Sequence, residues 1–258
     1  MGRELIQAIQ LHGPERGVQL SAALVRDDHP LLGVDAGRAM GLEQCDVQIS
    51  SDLNKCDFDV LIDFTSVDNS LANLKVCLER SKAMVIGTTG FSEVQQEQIQ
   101  QAGEKLAIVL AANMSVGMNL CFHLLENMTK VLAEDSDIEI IETHHRHKVD
   151  SPSGTALKLG EIIAKSSGRN LQRDAVYGRH GIDEPRKRET IGFSTVRGGD
   201  VVGDHTVLFA SDGERIELTH KASSRMTFAT GAVRAAAWLA DKPPGFFDMQ
   251  DVLGFKDN

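Results

Sequence analysis

Three short apolar runs, residues 58–64 (FDVLIDF), Ala83–Ile86 and residues 106–111, each end in a turn, and stretches with helical spacing separate them. Runs that are apolar on both faces, alternating with amphipathic helices, fit a parallel sheet covered on both sides. The fold class is therefore α/β, a doubly wound sheet. Val67–Arg80 carries Leu71, Leu74 and Cys77 at helical spacing, and Ser92-Glu93-Val94-Gln95 reads as a capping box that opens the next helix. Residues 3–12 form another amphipathic helix, stopped at Gly13-Pro14, and residues 18–25 are apolar enough for a buried strand. After Asn113-Met114-Ser115 a long helical pattern runs to about Ala133.

The pattern then changes. Residues 137–143 read as a strand and 155–166 as a helix, followed by three strand-like stretches at 190–197, 201–211 and 214–219. Turns at Gly198-Gly199-Asp200 and Asp212-Gly213 join the last three, which predicts consecutive antiparallel pairing and a separate sheet. The expected division is residues 1–115 with 225–258 for one domain and 116–224 for the other, the closing helix being about Met226–Leu239.

Composition removes several function classes. Acidic residues outnumber basic ones 37 to 27 over 258 residues, for a net charge of −10, so the chain lacks the cationic face of a nucleic-acid binder. One Trp and one Tyr leave little for base stacking. No apolar run approaches the roughly 20 residues that span a bilayer. Met1-Gly2-Arg3-Glu4-Leu5 does not resemble a signal peptide, and Cys45, Cys56, Cys77 and Cys121 are widely spaced, as in reduced cytosolic proteins. A cytoplasmic protein is expected.

Against that acidic background, His144, His145, Arg146, His147 and Lys148 are consecutive. If extended, His144, Arg146 and Lys148 share one face. Three readings are open. A solvated basic turn is one; a metal site on the 144–147 histidines is another, although no Cys or carboxylate cluster completes its ligand set. The third is an anion receptor, because Pro152-Ser153-Gly154-Thr155 opens a helix whose free amides and dipole attract carboxylate or phosphate. Gly87-Thr88-Thr89-Gly90 and Ala112-Asn113-Met114-Ser115 follow the carboxyl ends of two expected parallel strands, where nucleotides bind in doubly wound sheets.

The stretch from Glu142 to Ala156, E-x-H-H-R-H-K-x-D-x-P-S-G-T-A, resembles the signature of the bacterial dihydrodipicolinate reductase family, the 4-hydroxy-tetrahydrodipicolinate reductases of lysine and diaminopimelate synthesis. FDVLIDFT at 58–65, VIGTTGF at 85–91, AANMSVGMN at 111–119, TVRGGDVVGDHTV at 195–207 and residues 214–236 are similar to the same family. The resemblance implies a Rossmann-type domain and a substrate domain whose open mixed sheet builds a homotetramer. It implies hydride transfer from NADH or NADPH to a small cyclic dicarboxylate, with His144 and Lys148 as proton donors. His145, Lys148, Gly154 and Thr155 would hold the substrate. Gly87, Thr88, Thr89, Ala111, Ala112, Asn113 and Met114 would face the cofactor, with Arg225 and Phe228 nearby.

Two departures from the family pattern carry expectations of their own. Members that use NADH readily often have an acidic residue followed by Arg at the end of the second strand; here Val25-Arg26 stands there, which predicts that NADPH is preferred through Arg26. The family also opens with a strand and a Gly-rich turn ending R-M-G-R, whereas this sequence opens Met1-Gly2-Arg3. The expectation is an upstream strand and turn, and weak dinucleotide binding by the chain as written. A metal-dependent hydrolase using the histidine cluster, and an inactive remnant that still tetramerises, are the competing readings.

Overall fold

The computed structural model describes residues 1–182 and 184–256. Asp183 and residues 257–258, the end of the expected first domain, lie outside the described residues. In chain order the elements begin with α1 (Gly2–His12), β1 (Ala23–Leu24), α2 (Ala36–Ala39), β2 (Ile49–Ser50) and β3 (Val60–Asp63). Next come α3 (Val67–Arg80), β4 (Ala83–Ile86), α4 (Glu93–Ala102), β5 (Ala107–Leu110) and α5 (Val116–Leu132). Then follow β6 (Asp137–His144), α6 (Gly154–Ser167), α7 (Leu171–Asp174), β7 (Ala175–Val176) and β8 (Ile191–Arg197). The chain closes with β9 (Gly203–Ser211), β10 (Glu214–Ala222), α8 (Met226–Leu239), β11 (Gly245–Phe247) and α9 (Met249–Val252).

Two compact units result, Met1–Val116 with Arg225–Asn258, and Gly117–Ser224. In the first, β11-β5-β4-β3 form a parallel sheet and β1-β2 a parallel pair. Val85 and Val109 pack on one side against Leu5 and Ala8 of α1 and the alanine-rich α8, while Met84, Ile86 and Ile108 pack on the other against Leu74 and Cys77 of α3 and Ile99 of α4. Both halves of the Ser92–Gln95 capping box are made. Only Ala23 and Leu24 of the expected strand at 18–25 enter a ladder. The residues before them, Leu20 and Ala22 among them, instead line an apolar cavity of about 910 Å³ together with Leu24, Val60 and Ile62. Their hydrophobicity is spent on that lining.

The second unit is a five-stranded mixed sheet, order β10-β9-β6-β8-β7. The expected antiparallel pairing across Gly198-Gly199-Asp200 is wrong. β6 lies between β8 and β9, parallel to the first and antiparallel to the second. The glycine turn crosses the end of β6 instead, tied by Gly198 N–H to His144 O (2.9 Å) and Arg146 N–H to Gly199 O (3.2 Å). Turn chemistry is local, but the pairing is decided by the buried row on β6, whose Ile138 and Ile140 match Ile191 and Phe193 on one side and Phe209 and Val207 on the other. The Asp212-Gly213 hairpin does form, with Gly213 at φ +89° and Ser211 opposite Glu214. Helices α5 and α6 cover this face through Phe122, Leu125, Leu159 and Ile163.

Candidate active site

Side chains alternate along a strand, so residues 138, 140, 142 and 144 form one row on the covered face. The row is Ile138, Ile140, Glu142, His144. It turns from apolar to ionisable at the carboxyl end of β6, and all four side chains are buried. Arg197 of β8 lies opposite His144 in the ladder and His205 of β9 opposite Glu142, so three strands deliver their polar ends to one place.

Glu142 is the centre of the cluster. Its carboxylate accepts both guanidinium arms of Arg197 (2.8 and 2.9 Å), the Ser153 backbone N–H (3.1 Å) and His144 Nδ1 (2.5 Å). Burial alone would raise this carboxyl, but the hydrogen bonds from Arg197, His144 and Ser153 outweigh it and hold the pKa below the usual range. His144 is pushed down by burial, a shift that Glu142 opposes and that Lys148 and Arg197 reinforce, so its neutral form is favoured. His205, whose ring lies edge-on 5.1 Å from His144, is pushed down to about 3, chiefly by burial and then by His144. Its Nε2 is 3.0 Å from Ser153 Oγ, which also caps α6 by accepting the Ala156 N–H at 3.1 Å.

These buried neutral histidines make the unit acid-sensitive. An unfolded histidine takes a proton near ~6.5, whereas the folded pair resists it. The unfolded state therefore binds more protons below that pH, and stability falls as pH drops from about 6.5. Each fully withheld proton contributes ~1.4 kcal/mol per pH unit. The free energy of amide exchange across β6, β8 and β9, corrected for the intrinsic rate at each pH, is expected to fall from pH 7 to 5, and to fall less in His205→Asn. A pH-independent exchange free energy would contradict it.

The 144–148 segment is not extended. The chain turns after His144, with Lys148 N–H bonded to His145 O at 3.1 Å, so the expected common face of His144, Arg146 and Lys148 does not exist. The glycine turn docked on the end of β6 prevents the strand from continuing. Arg146 and His147 are exposed; Lys148 is half-buried, with Nζ 2.8 Å from Asp150 Oδ1. Among the described residues, His145 Nδ1 is buried without a hydrogen-bond partner, and its ring centroid is 6.2 Å from that of His147. Gly154 and Thr155 form the first turn of α6, and an added Cβ on Gly154 would meet open space. Among the described residues, no three His, Cys, Asp or Glu side chains assemble as a metal site.

The residues expected to face a cofactor lie in the first unit. Gly87, Thr88 and Thr89 follow β4, and Ala111, Ala112, Asn113 and Met114 follow β5 on the same carboxyl edge, joined by Ala111 N–H to Ile86 O at 3.1 Å. Gly87 has no room for a Cβ, which would fall 2.3 Å from the Phe64 ring. Thr88 is buried and donates to Asp63 Oδ1 at 2.9 Å, so its side chain braces the turn. The buried Met114 side chain packs in the core. Thr89, Gly90 and Ala112 are exposed, and Gly90 adopts φ +92°. Short side chains and reachable backbone at the edge of a parallel sheet fit a dinucleotide. Arg225 caps α8 and is exposed, and Phe228 is half-buried in its first turn. Arg26 is exposed just past β1, its Nε 3.9 Å from Asp28 Oδ1.

Glu142, Arg197 and His205 received no role from the sequence, which placed Ser153 only in the opening of a helix. The signal that could have found them is period two: Phe193-x-Thr195-x-Arg197 and His205-x-Val207-x-Phe209 continue apolar rows into polar ends, as Ile138 to His144 does.

Comparison with known proteins agrees along the whole chain. The family model for the N-terminus of dihydrodipicolinate reductase matches residues 1–114 and that for its C-terminus residues 117–253. A 4-hydroxy-tetrahydrodipicolinate reductase of Pseudomonas fluorescens strain Pf0-1 is 58% identical over 256 residues, covering 98% of this chain and 95% of the relative. The protein of that name from strain Pf-5 is 57% identical, covering 99% and 96%. Among solved structures, dipicolinate-bound dihydrodipicolinate reductase from Paenisporosarcina sp. TG-14 superposes with a TM-score of 0.70 at 23% identity, over 96% of this chain and 93% of that one. An amine dehydrogenase from Mycobacterium smegmatis shares the fold at a TM-score of 0.58 and 12% identity, over 94% and 91%. The fold is a Rossmann-type parallel sheet with a mixed-sheet unit, and the chain belongs to the dihydrodipicolinate reductase family.

Proposed function

We propose that the chain is a 4-hydroxy-tetrahydrodipicolinate reductase, an NAD(P)H-dependent oxidoreductase that forms tetrahydrodipicolinate in diaminopimelate and lysine synthesis. The observation that carries this reading is that Glu142 ties His144 to the cap of α6 at Ser153, with Lys148 in the turn between them, in a chain of this family. A bound nicotinamide would supply hydride to the conjugated imine that the substrate becomes once its 4-hydroxyl has left as water. The protein's part is to hold two carboxylates and deliver a proton. The α6 amides at Gly154 and Thr155, the Lys148 ammonium and His145, whose buried Nδ1 has no hydrogen-bond partner among the described residues, are the anion receptor. Arrival of a dianion raises the basicity of the nearby His144, which then takes a proton and releases it as charge develops. Oxidation of NADPH followed at 340 nm with 4-hydroxy-tetrahydrodipicolinate tests the activity directly. Consumption blocked by chelator and independent of nicotinamide would favour the metal-dependent hydrolase.

Residues 1–115 with 225–258 act as the dinucleotide domain and 116–224 as the substrate domain. The exposed Arg26, with Val25 in place of an acidic residue, suits a 2′-phosphate, so NADPH is preferred over NADH. Arg26→Ala is expected to raise KM for NADPH about tenfold and leave NADH nearly unchanged. Equal loss with both cofactors would remove this preference.

The uncovered face of the second sheet carries Ile141, Val196 and Leu208, with the Thr206–Thr219 hydroxyl pair across β9 and β10. Such a face fits self-association into a homotetramer. Sedimentation is expected to give four times the 28.1 kDa chain mass, and Val196→Asp to lower it. A monomeric wild-type chain would refute the assembly. No described helix is long and apolar enough to cross a membrane.

A further inference from the structure

Glu142 has every feature of a group that orients another. It is 1% exposed, it lies two residues before His144 on the same face of β6, and its Oε2 is 2.5 Å from His144 Nδ1. An ionised carboxylate can only accept hydrogen bonds, so the contact requires the His144 proton to sit on Nδ1. The other ring nitrogen, Nε2, lies beside Gly203, where a Cβ would approach to 3.0 Å. Among the described residues it has no hydrogen-bond partner.

We infer that Glu142 is a positioning residue for the proposed reaction: it fixes His144 with Nδ1 protonated and Nε2 presented as the proton-transferring atom, and Arg197 fixes Glu142. The inference rests on the reading of His144 as the proton-handling group. Packing gives no reason for the ion pair, because the same row is apolar at Ile138 and Ile140 and a buried pair seldom stabilises more than well-packed hydrophobic residues. Arg197 reaches the carboxylate with two arms and the Asp150 carbonyl with 2.6 Å geometry, which sets the carboxylate plane. Ser153 N–H closes the remaining side, so the anchor of the proton-transfer group is also the anchor of the α6 N-terminus that would receive substrate. Ring orientation and carboxylate receptor are thereby coupled through one residue.

The charged and titratable groups facing His144 are Glu142 on its own strand, Arg197 from β8, His205 from β9 and Lys148 in the following turn. Only Glu142 favours the imidazolium; Lys148 and Arg197 oppose it, and His205 stays neutral in this range. Glu142→Gln removes the one favourable charge and allows the amide to donate to Nδ1, which selects the wrong tautomer. The expected result is a fall in kcat of about 10²–10⁴-fold, with substrate and cofactor KM changed about threefold or less. The limb of the kcat profile that requires protonated His144 moves to lower pH, and Glu142→Asp recovers part of the loss. A purely structural pair would change stability without moving that limb.

Nitrogen-15 NMR of the imidazoles in the wild-type chain gives a readout that needs no variant to fold. His144 is expected as the Nδ1–H tautomer at pH 7.5. The Nε2–H tautomer in the wild type, or Glu142→Gln with wild-type kcat and pH limb, would overturn the inference. His144→Gln separates the two levels: unchanged turnover in that variant removes the role of His144, while the tautomer of the wild type still decides whether Glu142 sets the ring.

Discussion

His144→Gln and Lys148→Ala are each expected to lower kcat by about 10²–10⁴-fold while dinucleotide affinity stays near wild type. Both residues lie in the Gly117–Ser224 unit, whereas the proposed cofactor edge is built in the other. Gln is the informative replacement at 144, because its amide can still donate to Glu142 and keep the carboxylate partnered. A loss of rate then reports lost proton transfer rather than an uncompensated buried charge, which would cost several kcal/mol in stability. Lys148→Ala strips Asp150 of its ion-pair partner, but that carboxylate is 53% exposed and water replaces the lysine cheaply. Thermal unfolding close to wild type in both variants is part of the expected result. Stopped-flow turnover with cofactor binding measured separately checks it, and near-normal turnover in both would end the assignment.

What could be read from the chain divides along physical range. Val67–Arg80 and Ala83–Ile86 are legible to the residue, because helical period, capping and a short β-branched run are local properties. β1, β7 and β11 hold two or three residues each, too few for a period to register, and exist because a neighbouring strand offers a ladder. The order of the second sheet is a contest between a local glycine turn and the long-range match of Ile138 and Ile140 to their neighbours, and the match prevails. The site divides the same way. His144, Lys148 and the Ser153 cap stand within one short motif, whereas Arg197 reaches Glu142 across 55 positions and only the strand register brings them together. A basic run announces an anion receptor; it does not reveal the carboxylate that orients it.

Gly231→Ala should weaken dinucleotide binding from a position that contacts no ligand. Gly231 lies in α8, where an added Cβ would fall 1.8 Å from the carbonyl oxygen of Met114 and 2.8 Å from its carbonyl carbon. Backbone cannot swing aside as a side chain can, so either the helix or the loop after β5 must move by more than an ångström. The substitution gains up to ~1 kcal/mol of helix propensity. Overpacking of this kind costs about 1–3 kcal/mol, and the clash is severe enough to put it at the upper end. The movement falls on Asn113-Met114, where Asn113 Oδ1 holds the Ser115 N–H at 2.8 Å and shapes the proposed cofactor edge. The expected outcome is a lower midpoint for the Met1–Val116 and Arg225–Asn258 unit and a roughly tenfold weaker Kd for NADPH, with the His144 pH profile unmoved. Gly154→Ala is the counterpart in the second unit. It meets no atom within 4 Å and should leave stability unchanged, while raising KM for the dicarboxylate if that open space is where the substrate sits. Isothermal titration with NADPH and denaturation of both variants test the pair. A Gly231→Ala chain with wild-type stability and NADPH affinity would mean that this helix contact does not hold the cofactor edge in place.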